Sequence, residues 1–134
     1  MARRRVLRNA MKLRTPTRMR SMLDDELAAA RQAFGSGHDG WRHLERAHVL
    51  SQPWAFDHVR VHAAMLRRGW HERDRVEVRG QVLRLVVAGP GSLVNRYPIG
   101  NNGRARVSAT LPMPIADHDV RVALAAAGQP VGDE

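Results

Sequence analysis

The feature that most restricts the fold of this chain is a series of apolar residues at helical spacing, interrupted by short glycine- and proline-containing breaks. The first segment covers residues 16–35, the second about 40–50, and the third about 53–68, where Gly69 is predicted to stop it. Apolar residues three and four positions apart indicate helices that bury one face. Thr15, before a proline, is predicted to cap the first helix.

A fourth periodic segment, about residues 73–87, leaves its secondary structure open. Its valine and leucine residues fit a strand, whereas three preceding helices and short connections favour a helix. On a helix, Glu77, Gln81 and Arg84 would share a stripe opposite the valine and leucine side chains. Exposure of this stripe to solvent is therefore one expectation for Glu77.

The remaining chain is irregular until a short helix predicted at about residues 116–127. Residues 89–114 contain four of the seven prolines and the sequence Gly-Asn-Asn-Gly at 100–103, which predicts a tight turn with positive φ. A loop of this length is either functional or wraps the core. We predict an all-α fold: an irregular four-helix arrangement of tetratricopeptide-like hairpins, a Gly/Pro-rich wrapping segment and a short C-terminal helix.

The chain length of 134 residues fits one domain. The predicted division is a basic disordered head at 1–14, a single helical domain at 15–128 and a frayed tail at 129–134.

The formal charge of +9 is concentrated at one end. Eight of the 22 basic residues lie in the first twenty positions, which leaves 14 basic against 13 acidic residues elsewhere. Nucleic acid is therefore an unlikely partner except through the basic head. No apolar run approaches the ~20 residues of a membrane span, so we expect a cytoplasmic protein. The sequence leaves a protein partner and the oligomeric state open.

The absence of cysteine means that any metal must be held by histidine, carboxylate or main-chain oxygen. Glu45 and His48 are three positions apart, and His58 and His62 are four apart, so each pair shares a helix face. Glu-x-x-His is the spacing of di-iron and di-manganese carboxylate bundles, and His-x-x-x-His places two imidazoles on one ion. Glu26 lies on the apolar face of the first helix.

Ionisable groups on buried faces need a compensating partner, which a metal ion would provide. The leading hypothesis is a metal-binding protein with a mono- or di-metal centre of iron, manganese or zinc, and the sequence does not say whether it is catalytic. Its candidate ligands are Glu26, Glu45, His48, His58 and His62, with Glu77 as a further candidate. In the alternative, Glu45 and His48 pair with each other or with arginines, and the chain is a tetratricopeptide-like interaction module without metal.

Several motifs together resemble a small bacterial family known as domain of unknown function 3703. The resemblance covers about residues 22–115 and leaves the basic head outside. It implies a compact, mostly helical domain of no established activity and makes the His/Glu positions the natural candidates for function. The motifs are Trp41-x-His43-Leu44-Glu45-Arg46-Ala47-His48-x-Leu50-x-Gln52, His58-x-x-Val61-His62-x-x-Met65-Leu66, Glu77-Val78-x-Gly80-Gln81 with Arg84, Gly91-Ser92, Pro98-x-Gly100-Asn101, and Pro112-Met113-Pro114-Ile115.

Overall fold

The computed structural model describes residues 13–132, and within that range it contains five helices and no strand. This confirms the all-α prediction. It also shows that the fourth periodic segment, for which strand and helix were both considered, is a helix. Residues 1–12 of the predicted head and residues 133–134 of the predicted tail lie outside the described part. The helices are α1 (Thr17–Gly35), α2 (Trp41–Ser51), α3 (Ala55–His71), α4 (Arg75–Leu93) and α5 (His118–Ala126). None of these helices is both long and apolar enough to cross a membrane.

The main apolar core lies between the first three helices, where the sequence spacing places it. Leu23 and Leu27 of α1, Leu44 of α2, and Val61 and Met65 of α3 are all buried in one cluster. Helix α2 is central, because it packs against α1, α3 and α5. Burial of these side chains supplies most of the hydrophobic stabilisation.

A second apolar cluster joins α2 to the end of the chain. Leu50 and Trp54 pack with Ile115 of the irregular segment and with Val120 and Leu124 of α5. The irregular segment, residues 94–117, is thereby held against the helices and runs past the buried ends of α2 and α4. Its tight turn has the predicted positive φ at both glycines, with values of +76° and +81° at positions 100 and 103.

Three predicted helix boundaries differ from the structure. Thr15 does not cap α1, because Pro16 occupies the cap position and the Thr15 N–H donates to Asp57 Oδ2 at 2.6 Å. Gly69 does not stop α3 but lies inside it, where a Cβ would come within 3.1 Å of Glu77. The missing side chain at position 69 therefore allows α3 and α4 to pack closely.

Helix α4 also extends past its predicted end, through Gly89-Pro90-Gly91 to Leu93. Pro90 removes one backbone donor from the helical ladder, and the helix ends three residues after it. The final turn is held by Ser92, whose hydroxyl donates to the carbonyl oxygen of Gln52 at 2.6 Å.

The orientation of α4 is the reverse of what its apolar pattern predicts. The buried face is the polar one, and the solvent exposure considered for Glu77 is wrong, since its side chain is 0% exposed. Val82, Leu83 and Val86 are instead half or more exposed. The polar stripe faces inward because polar groups in the interior, from α3, the end of α2 and the irregular segment, form hydrogen bonds with it. The buried face consists of Glu77, Gln81, Arg84, Ala88 and Ser92.

Gly80 provides a test of how the irregular segment packs on α4. A Cβ at this position would collide with the side chain and backbone of Ala105. We expect Gly80→Ala to lower the free energy of unfolding by about 1–3 kcal/mol, because overpacking outweighs the helix propensity of alanine. Gly35→Ala, at a helical glycine with open space around it, should be neutral or stabilising. Urea unfolding of both variants checks this; equal stability would contradict the described packing.

Candidate metal centre

Three histidines from two helices meet in the interior. His48 comes from α2, and His58 and His62 come from successive turns of α3. All three are buried, and their Nε2 atoms form a nearly equilateral triangle with edges of 3.0, 3.1 and 3.2 Å. These three residues are close enough together to hold a metal ion.

The opposite ring nitrogens are each bound to an oxygen. His48 Nδ1 lies 2.6 Å from the carbonyl oxygen of Asn101, which can only accept, so this nitrogen carries the proton. His62 Nδ1 lies 2.6 Å from Gln81 Oε1. The amide group of Gln81 is oriented by its NH₂, which donates to Glu77 Oε1 and to the carbonyl oxygen of Gly103. Its oxygen therefore accepts from His62.

The third histidine follows the same rule. His58 Nδ1 lies 2.8 Å from Ser92 Oγ. Because the Ser92 hydroxyl already donates its hydrogen to Gln52, its oxygen accepts from His58. All three imidazoles thus carry a proton on Nδ1, which leaves each Nε2 as the atom that could accept a proton or bind a metal.

The charge state of the triad follows from its burial. Burial, followed by the neighbouring imidazoles, places the pKa of His48 well below its ordinary value. Burial likewise lowers the pKa of His58 to about 3 and that of His62 to about 4. The rings are therefore neutral near pH 7, and three Nε2 lone pairs face one another without a hydrogen between them. Such an arrangement is repulsive unless a cation lies among them.

A second layer of residues holds the His62 partner in place. The carboxylate of Glu77 accepts from Gln81 Nε2 at 2.7 Å and from the Ala105 N–H at 3.1 Å. It also accepts from Arg104 Nε at 3.2 Å. Glu77 is therefore connected to the triad through Gln81, an arrangement that fixes the ring orientation of His62.

The irregular segment closes the triad from the side of His48. Gly103 lies directly over this ring, and a Cβ there would come within 2.6–2.7 Å of the imidazole carbons. The positive φ of Gly103 and its close approach to the ring both require glycine. The side chain of Asn101 donates to the carbonyl oxygens of Ser108 and Leu111, which fixes the turn that presents its own carbonyl to His48.

The six candidate ligands predicted from the sequence have different positions. His48, His58 and His62 come together, and Glu77 reaches them only through Gln81. Glu26 and Glu45 do not belong to this group of close ligand atoms. Glu26 binds Arg46 Nε at 2.7 Å and His43 Nδ1 at 2.8 Å, and Glu45 binds Arg104 at 3.2 Å. Arginine pairing, the alternative noted for Glu45, is what the structure contains.

The sequence reasoning missed the partners of the three Nδ1 atoms. The sequence pattern places Gln81 only in a polar stripe, and it predicts irregular structure for the segment that contains Ser92 and Asn101. One signal was available, because Glu77, Gln81, Arg84 and Ser92 recur at helical spacing if the helix is continued past Ala88.

Acid sensitivity of the metal-free protein tests the burial of the triad. The pKa values of His58 and His62 are lowered from about 6.5 in the unfolded chain to about 3 and 4. The unfolded state therefore binds more protons than the folded state below pH 6.5, and stability falls as the pH is lowered from there towards pH 3. Each of these two residues should cost about 2 kcal/mol at pH 5.

The measurement is urea unfolding at pH 7, 6 and 5 in the presence of a chelator. His71→Gln, at an exposed position, should leave the pH dependence unchanged, whereas His58→Gln should reduce it. A stability that does not change between pH 7 and pH 5 would show that the triad is not buried in the neutral form.

Comparisons with known proteins give a family but no activity. No curated protein and no solved structure matches the chain. A family model described as "Protein of unknown function (DUF3703)" matches residues 17–124, a range that includes all three histidines and their hydrogen-bond partners. Since this match covers most of the sequence, the chain belongs to the DUF3703 family.

Proposed function

We propose that this protein binds one divalent transition-metal ion, with zinc favoured, through Nε2 of His48, His58 and His62. The observation that carries the proposal is the orientation of the rings: each Nδ1–H donates to its own acceptor, and each Nε2 lone pair points at the same space. Neutral imidazole with its second nitrogen hydrogen-bonded is the usual form of a metal-ligating histidine.

The distances between the three Nε2 atoms also support a metal site. Tetrahedral coordination at about 2.0–2.1 Å separates two ligand nitrogens by about 3.3 Å. The observed Nε2 separations of 3.0–3.2 Å are close to this value. Three protein ligands leave one coordination position for water or substrate, which distinguishes catalytic from structural zinc sites.

The chemistry of the ligand set favours zinc over a carboxylate-bridged pair of iron or manganese ions. Such pairs need several carboxylates around the metals. Here Glu26 and Glu45 are paired with arginines, and Glu77 is used to orient Gln81. Three imidazoles without a carboxylate suit zinc. When bound, zinc would act as a Lewis acid and lower the pKa of a bound water.

Metal titration of protein purified without a His tag and stripped with a chelator tests the proposal. We expect one zinc ion per chain and a higher melting temperature with zinc, because the ion binds only the folded site. Cobalt(II) in place of zinc should give the visible absorption of a tetrahedral centre. His48→Ala, His58→Ala and His62→Ala should each weaken binding by more than 100-fold.

The controls separate the triad from other candidate ligands. His71→Ala, at an exposed histidine, should bind zinc like the original protein. Glu26→Gln and Glu45→Gln should also retain the metal; loss of binding in either would extend the ligand set beyond the triad. Equal zinc binding by the original protein and the three triad variants would overturn the proposal.

Gly103→Ala is expected to weaken metal binding although it replaces none of the three proposed ligands. The new Cβ would displace the His48 ring, and disturbing the surroundings of a ligand typically costs 10–100-fold in affinity. Gly37→Ala is the matched control, because Gly37 also has positive φ, at +76°, but open space around its Cα. Both variants should lose similar stability to backbone strain, while only Gly103→Ala loses zinc affinity in the same titration.

A further inference from the structure

The histidine triad lies in the wall of a cavity of about 720 Å³. This volume is within the range of about 300–1,000 Å³ that is typical of pockets for small molecules. All three histidines line the cavity, which therefore adjoins the proposed metal site. The opposite wall comes from α4 and from the irregular segment around residues 96–98 and 109–112.

The charged groups of this cavity are all positive. Among the described residues that line it, two are arginines, Arg84 and Arg96, and none is an aspartate or glutamate. Arg84 is only 6% exposed and donates to three carbonyl oxygens, those of Gly80, Arg104 and Val107, rather than to a carboxylate. Its charge is close enough to His48 and His62 to lower the pKa of both.

The buried carboxylate of Glu77 interacts electrostatically with Arg84 but does not line the cavity. Glu77 lies behind Gln81 and is already bound by Arg104 and by the Ala105 N–H. Arg96 is exposed at the cavity mouth, and within residues 13–132 no acidic group pairs with it. A divalent metal on three neutral imidazoles would add two further positive charges to the same space.

The rest of the lining is apolar or uncharged. Leu83 and Val87 of α4, with Pro98 and Pro112 of the irregular segment, give the cavity hydrophobic walls. Tyr97 is half-buried beside Arg96 and offers a hydroxyl donor. Apolar walls with a few positive and hydrogen-bonding groups bind molecules that combine an anionic head with a hydrophobic body.

We propose that the cavity binds a small organic anion, a carboxylate or phosphate with an apolar body, whose anionic oxygen takes the open coordination position of the metal. Arg84 and Arg96 attract the anion, and Leu83 and Val87 contact its apolar part. In the metal-loaded protein this would be a ligand exchange, in which the anionic oxygen would replace the metal-bound water and that water would leave to solvent. This inference rests on the proposed metal centre.

Benzoate, benzamide and acetate are the probes that separate the contributions. Benzamide has the shape of benzoate without its charge, and acetate has the charge without the ring. With protein loaded with one cobalt(II) per chain, calorimetry should give benzoate at least tenfold tighter binding than either of the others. Benzoate should also change the visible absorption of the cobalt, since its oxygen enters the coordination sphere.

Two matched pairs of variants test the cavity walls. Arg96→Gln should weaken benzoate binding several-fold, whereas Arg79→Gln, an exposed arginine of α4 outside the cavity, should not. Leu83→Ala should weaken benzoate more than acetate, whereas Val86→Ala, also exposed and outside the cavity, should affect neither. All four variants should retain one metal ion per chain.

The outcomes distinguish this inference from the proposed function. Stoichiometric metal together with equal binding of benzoate and benzamide, or with no benzoate binding, would overturn the inference and leave the metal centre standing. Failure of the original protein to bind any metal would overturn the metal centre and this inference with it. Benzoate binding that leaves the cobalt spectrum unchanged would overturn the assignment of the anion to the metal.

Discussion

The hydrogen bonds at the three histidine Nδ1 atoms are the constraint on which the placement of α4 and of the Asn101 turn depends. Two of the rings are held by Gln81 and Ser92 of α4, and the third is held by the main-chain oxygen of Asn101 in the turn. Buried imidazoles without such acceptors would be costly to desolvate. The histidines need acceptors at these three points. This need explains why α4 buries its polar face, and why the turn at Asn101 is held against the helices.

The inward polar face of α4 has an energetic consequence for its outer face. Hydrogen bonds offset the cost of desolvating the buried polar groups of α4. The valine and leucine side chains on its other face stay largely exposed and contribute little hydrophobic stabilisation. Part of that apolar surface, at Leu83 and Val87, lines the cavity next to the triad. With this orientation α4 supplies the acceptors for His58 and His62 and an apolar part of the cavity wall.

The sequence predicted the parts of the fold in which apolar spacing and burial agree. The first three helices, the central position of Leu44 and Val61, and the turn at Gly100 all follow from local patterns. The three histidines were also predictable, because the spacing places them on inward faces. The orientation of helix α4 was not predictable, because periodicity identifies an apolar face but carries no information on interior groups that can bind a polar face.

The carboxylates show the same limit of local reasoning. Glu45 has the Glu-x-x-His spacing and Glu26 lies on the apolar face of its helix, but each is bound by an arginine from another part of the chain. Arg104 illustrates this best: its guanidinium lies 3.7 Å from the centre of the Trp41 ring and binds both Glu45 and Glu77. A pairing across 59 positions of sequence leaves no trace in a local pattern.

The histidines and the groups that accept their Nδ1–H hydrogens lie in separate parts of the sequence. The three histidines all lie between positions 48 and 62, on two consecutive helices with a short connection, so the contacts among them are local in sequence. Their acceptors follow at positions 81, 92 and 101, so they arrive through contacts of much longer range. The gathering of the imidazoles therefore depends on a local hairpin of α2 and α3, whereas their tautomer depends on contacts that close much longer loops of the chain.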